Sequence, residues 1–157
     1  MKHYFSQRDP RWHRKTLGNT IYTIYRWGCK VTTACNMIMD LFDEELRPDT
    51  AAELWKFTKD GKLIHDSIKF KGMEYKRYWR APTHKEATAY DDAKDTRIGV
   101  RMKYNPLHWV KIHKWTKWYI PWFLCVDPYS YNPDFQCARI VRKMKYNIDG
   151  FFTLKKV

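Results

Sequence analysis

The chain has 157 residues, enough for one domain with a real core. Its hydrophobic content of 44%, with eight Trp, eleven Tyr and eight Phe, excludes a disordered chain, and Lys and Arg interrupt every apolar run before it reaches the length of a membrane span. The formal net charge is +13, and residues 97–157 hold twelve Lys/Arg against three Asp, a field that attracts anionic polymers such as nucleic acid, anionic lipid or an acidic cell wall.

Residues 1–28 read as irregular, with Asp9 and Pro10, then Gly18 and Asn19, as punctuation. The opening MKHYFSQRDPRW has no apolar stretch of the signal-peptide type, so the expected location is cytoplasmic or virion-associated. Ile21, Tyr22, Ile24 and Tyr25 suit a short extended piece. After Gly28 the period changes: Val31, Ala34, Cys35, Ile38, Met39 and Phe42 recur at three and four, which predicts a helix over residues 29–43. A second helix is expected to start at a Thr50 or Asp49 cap and run to about residue 59, where Asp60 and Gly61 stop it. Residues 62–80 suit a small helix or a ribbon. Thr83 with Glu86 three residues later predicts another short helix.

From Thr96 the pattern turns to strands, over residues 97–104, 107–114, 118–127, 137–145 and 151–155, with Asn105 and Pro106 as one break and Asn132 and Pro133 as another. Helices first and hairpin-like strands second predict an α+β fold, with N-terminal helices packed on a C-terminal antiparallel sheet.

Three residues could make chemistry together. Cys29 follows Gly28 at the start of a helix, where the dipole and free backbone N–H groups favour a thiolate and an oxyanion. Arg26 or Lys30 would lower the thiol further. The alternative is a buried structural thiol at a crowded turn. Cys35 sits within the apolar face and reads as packing. His108 shares the apolar strand face of Val110 and Ile112, whereas Trp109, Lys111 and His113 share the other, and His113 reads as a surface residue. Asp127 ends an apolar strand just before Pro128, where a carboxylate could orient a neighbouring imidazole. The alternatives are a hydrogen-bonded core histidine and an ordinary strand-end aspartate. Cys29, Cys35, Cys125 and Cys137 form no CxxC pair, so neither structural zinc nor a disulfide framework is expected.

These pieces fall in an order that resembles the C39-like cysteine peptidases: Gln7, Asp9, Pro10 and Trp12 as Gln–x–Asp–Pro–x–Trp, then Leu17 and Gly18, Gly28 and Cys29, His108, Trp109 and Val110, and Asp127 and Pro128. The resemblance implies a papain-like fold formed by residues 1–157 as one domain. It also implies a Cys29 nucleophile, a His108 base, an orienting Asp127 and a Gln7 side-chain donor to the oxyanion. It implies no cofactor or metal, and a peptide substrate such as a bacterial cell-wall cross-bridge. The chain departs from the family at Trp27 and Lys30, which crowd the cysteine, and in the run WVKIHKWTKWYIPW. That run also fits a surface that stacks bases and pairs phosphates. Without a GXXG loop, zinc-finger spacing or an RNP run, nucleic-acid binding is not favoured, and a catalytically silent basic protein on the same scaffold is the other alternative.

Overall fold

In a computed structural model that describes residues 2–103 and 108–157, the piece expected to be extended before Gly28 is one turn of helix, α1 (Ile24–Trp27). Thr23 caps it, its hydroxyl accepting from the Arg26 N–H at 3.4 Å. Gly28 closes α1, donating to the Ile24 carbonyl at 2.9 Å, and opens α2 (Cys29–Phe42). A Cβ on Gly28 would lie 2.6 Å from that carbonyl oxygen, so the two helices meet this closely only at glycine. Gly28→Ala is therefore expected to destabilise the fold by about 2 kcal/mol. A urea titration checks this: the midpoint should fall at constant slope, and an unmoved midpoint would contradict the tight junction.

The helix expected over residues 29–43 is α2, ended by Asp43 in the left-handed conformation (φ 53°). It is buried nearly all round, and its polar residues find partners. Thr33 Oγ1 donates to the Trp109 carbonyl at 3.0 Å, and Asn36 pairs both ways with the Phe5 backbone, at 2.7 and 3.0 Å.

The next helix, α3 (Pro48–Leu54), starts earlier and stops sooner than expected. Pro48 takes the first turn, where its missing N–H costs nothing, and Asp49 pairs with Arg47. Trp55 leaves the helix for an extended conformation that buries its ring and lets its indole N–H donate to the Lys69 carbonyl at 3.2 Å. Residues 62–80, expected to form either a small helix or a ribbon, hold a 3₁₀ turn (His65–Ser67) and one strand, β1 (Met73–Tyr78), whose partner is at the far end of the chain. Thr83 and Glu86 form a reciprocal capping box at the start of α4 (His84–Asp92).

The remaining strands are β2 (Thr96–Met102), β3 (Trp109–Lys114), β4 (Trp122–Asn132), β5 (Cys137–Met144) and β6 (Ile148–Lys156). The break expected at Asn105 and Pro106, and positions 104 and 107, lie outside the described residues. All pairings are antiparallel, in the order β1-β6-β2-β3-β4-β5. The N-terminal helices pack on this six-stranded sheet, although β1 precedes α4 in the chain. Pro128 does not end β4. The strand runs on to Asn132 through a register irregularity after Asp127, where a residue without an N–H is tolerated. Trp118 and Tyr119 lie outside any strand, exposed between β3 and β4.

Helix α2 packs against β2, β3, β4 and β6. Gly99 makes room for it, since a Cβ there would meet Phe152 at 2.7 Å and Thr33 at 3.1 Å. A second apolar cluster on the sheet, built on Val100, Val110, Ile112, Phe123 and Phe151, receives Tyr90 of α4. Both faces of β3 are therefore buried, and Lys111 is not on a solvent face with His113: it is 2% exposed, while His113 is exposed as expected. Among the described residues no helix is long and apolar enough to cross a membrane, and no disulfide joins the cysteines.

Candidate active site

The N-terminal segment is a set of tight turns that delivers Gln7. Asp9 is buried and accepts from the Arg11 backbone N–H at 2.9 Å and from its guanidinium at 2.7 Å. The Trp12 indole donates to the Ser6 carbonyl at 2.8 Å, and its ring meets the guanidinium groups of both Arg11 and Arg47. The spacing of Gln7, Asp9 and Trp12 thus has a physical content: the carboxylate and the indole close the turn on either side of the glutamine. Gln7 donates its backbone N–H to the Pro128 carbonyl at 2.7 Å, one residue past Asp127. Its buried side chain donates from Nε2 to the carbonyls of Tyr25 (2.8 Å) and Ile24 (3.3 Å). Its Oε1 has no hydrogen-bond partner among the described residues. Gln7 therefore ties α1, just ahead of Gly28 and Cys29, to the irregular turn of β4.

Cys29 is the first residue of α2 and is 7% exposed. Burial pushes its thiol up to about 11 and outweighs the nearby backbone N–H groups of Trp109, Lys30 and Cys29 itself, which lower it. The expectation of a thiol held low by the helix terminus and a nearby cation is corrected here: desolvation wins. Lys30 reaches away to Tyr75, donating to Oη at 2.7 Å. Cys35 is fully buried in the core, as expected of a packing residue.

The Trp109 N–H that meets the Cys29 sulfur belongs to the residue after His108. His108 is itself buried, and its Nε2 lies 3.1 Å from Asp127 Oδ1. Lys143 Nζ is 3.4 Å from Oδ2, and the Tyr129 N–H donates to Oδ1 at 3.0 Å. Burial raises the Asp127 carboxyl, but His108, Lys143 and the Tyr129 N–H together overcome it and hold the group below the usual carboxylate range. Lys143 has no sequence signal. It belongs to the basic run of β5, and only the pairing of β5 with β4 brings it to Asp127.

Of the four expected site residues, His108 and Asp127 are in direct contact, Cys29 touches the residue after His108, and Gln7 bonds to the residue after Asp127. A cleft of about 570 Å³ opens beside Cys29. Trp27, Trp79 and Trp109 contribute aromatic wall, and Lys30, Arg77 and Arg101 contribute positive charge. Among the described residues no group of three or more His, Cys, Asp or Glu is placed to hold a metal ion. The chain matches no family model, no curated protein and no solved structure.

Proposed function

We propose that the chain is a thiol-dependent peptidase or amidase on a papain-like scaffold of the C39-like kind, with residues 1–157 as one domain. Cys29 is the nucleophile, His108 the base, Asp127 the orienting residue and Gln7 an oxyanion donor. The observation that carries this reading is the chain of contacts from the Cys29 sulfur through the Trp109 N–H to His108, and from His108 to Asp127 at 3.1 Å. With Nε2 of His108 held by Asp127, Nδ1 is the nitrogen left to act as base. A buried thiol raised to about 11 is protonated at neutral pH. Deprotonation therefore accompanies attack: Sγ bonds to the carbonyl carbon as Nδ1 takes the S–H proton. The Cys29 N–H meets the oxyanion, joined by Gln7 Nε2, which gives up its longer bond to the Ile24 carbonyl. Collapse expels the amine, which takes the proton back from the imidazolium. Water activated at the same nitrogen then hydrolyses the thioester.

The substrate in this reading is a peptide, such as a cell-wall cross-bridge, and the +13 charge holds the enzyme on an anionic polymer. Cytoplasmic or virion-associated action fits it. A catalytically silent scaffold is the competing reading, favoured by the burial of the Cys29 thiol.

Alkylation by chloroacetamide at pH 7, with adducts located by peptide mass, separates the two. Catalytic function predicts that Cys29 labels well ahead of the buried Cys35 and Cys125, and that His108→Ala slows it by at least about 100-fold, the lower end of base assistance. Labelling of Cys29 no faster than Cys35 leaves the silent scaffold.

A further inference from the structure

The cleft beside Cys29 carries an unbalanced charge. Lys30 sits one residue past Cys29, and its ammonium lies 4.7 Å from the ring centre of Trp109 and 5.3 Å from that of Phe152. Its hydrogen bond goes to a neutral phenol, Tyr75. The Arg77 guanidinium lies 4.1 Å from the Trp79 ring centre and 4.8 Å from that of Trp109, and bonds to backbone carbonyls of Tyr78 and Phe151. Arg101 has a carboxylate partner, Asp149, at 2.8 Å. Among the described residues no carboxylate lies within ion-pair distance of Lys30 or Arg77. Two half-buried cations therefore share Trp109, the residue whose N–H contacts the Cys29 sulfur, while the acids at the cleft, Asp149 and Asp60, are paired with Arg101 and Lys62.

We propose that this cleft recognises a carboxylate on the acyl portion of the substrate, held by Lys30 and Arg77 with its aliphatic stem against Trp109. Assigning the carboxylate to the acyl side rests on Cys29 being the attacking group; the anion site itself does not. Desolvating a cation without a counter-ion is unfavourable, and an incoming carboxylate removes that cost with charge-assisted hydrogen bonds that a neutral amide cannot match. Burial, with Arg77 and Arg101 nearby, pulls Lys30 down to about 7. The groups that face it are Cys29, Tyr75, Arg77 and Arg101, none of them an acid carboxylate. A bound carboxylate would supply the missing one. The aromatic wall suits a stem of a few methylenes, and the cleft has room for a residue-sized group.

The test is a fluorescence titration of the full chain at pH 6.5 and fixed ionic strength, since three tryptophans line the cleft. The probes are N-acetylglutamate α-amide (side-chain carboxylate), N-acetylglutamine (α-carboxylate) and N-acetylglutamine amide (neutral). Saturable binding of one carboxylate probe, at least about tenfold tighter than the neutral amide, is expected and tells which carboxylate the cleft takes. Lys30→Met should weaken it by about tenfold or more, whereas Lys85→Met, which removes an exposed charge on α4, should not. Equal binding of the neutral amide, equal weakening by Lys85→Met, no effect of Lys30→Met, or inorganic phosphate binding as tightly as the carboxylate would each overturn the proposal. The wild-type comparison of probes stands even where a variant fails to fold. No bond is cleaved in the titration, so its failure leaves the Cys29 labelling result intact, and slow labelling leaves a positive titration intact.

Discussion

Asp40→Asn is expected to cost the fold about 3–5 kcal/mol, the range for stranding one partner of a buried ion pair. Lys111 reaches from β3 to Asp40 on α2, with Nζ 2.5 Å from Oδ2 and a second bond to the Ile112 carbonyl at 3.2 Å. With asparagine there, this 2% exposed ammonium keeps only neutral carbonyl oxygens and no counter-charge. Lys111→Met is expected to cost much less. Asp40 would still receive the Tyr4 hydroxyl at 2.8 Å and Lys2 at 3.3 Å, with Arg97 at 3.6 Å. Urea unfolding of the two variants checks the asymmetry, and equal losses would contradict it. Burial raises the Asp40 carboxyl, but Lys111 and the Tyr4 hydroxyl more than offset it and leave the group below its ordinary value. The unfolded chain therefore takes up this proton first on acidification. The stabilisation is complete above the unfolded value, near 4, and is lost as pH falls through the lower folded value. Asp40→Asn should flatten that acid-side loss.

The same pair shows where the sequence stops being readable. Alternation in β3 put Lys111 beside His113 on a solvent face, because nothing local announces that α2 covers that face or that its counter-ion sits on a helix far back in the chain. Elements with local causes were legible. Helix α2 follows from its apolar period and from Gly28, and α4 from the Thr83–Glu86 box. Strand β1 is ambiguous between helix and ribbon in the sequence because its charged, half-exposed residues are organised by pairing with β6 at the other end of the chain. The single turn of α1 depends on Thr23 and on Gln7 bonding to its carbonyls, which is tertiary information. At the candidate site, residue types and order were visible, and so were the contacts they imply between His108 and Asp127. The state of the Cys29 thiol was not. A helix N-terminus is a local feature that lowers it, whereas the burial that raises it comes from the packing of α2 on the sheet, which is tertiary.

That burial makes the orientation of His108 decisive, and it yields the second large effect: Asp127→Asn is expected to slow Cys29 alkylation at pH 7 by about 10²–10⁴-fold, as far as His108→Ala. The carboxylate accepts from His108 Nε2–H and so leaves the Nδ1 lone pair free for the thiol proton. An asparagine in its place can instead donate its amide N–H to Nε2, which moves the imidazole proton to Nδ1 and removes the base. Lys143→Met tests the same orientation from the other oxygen. It keeps the His108 contact and removes one of the groups holding Asp127 below its ordinary value. It should slow alkylation only modestly and shift the acid limb of the pH–rate profile upward, because Asp127 then takes a proton at higher pH. A thiol that ionises on its own, near 11, would be indifferent to both changes, and identical pH–rate profiles for wild type, Asp127→Asn and Lys143→Met would remove His108 from any role as its base.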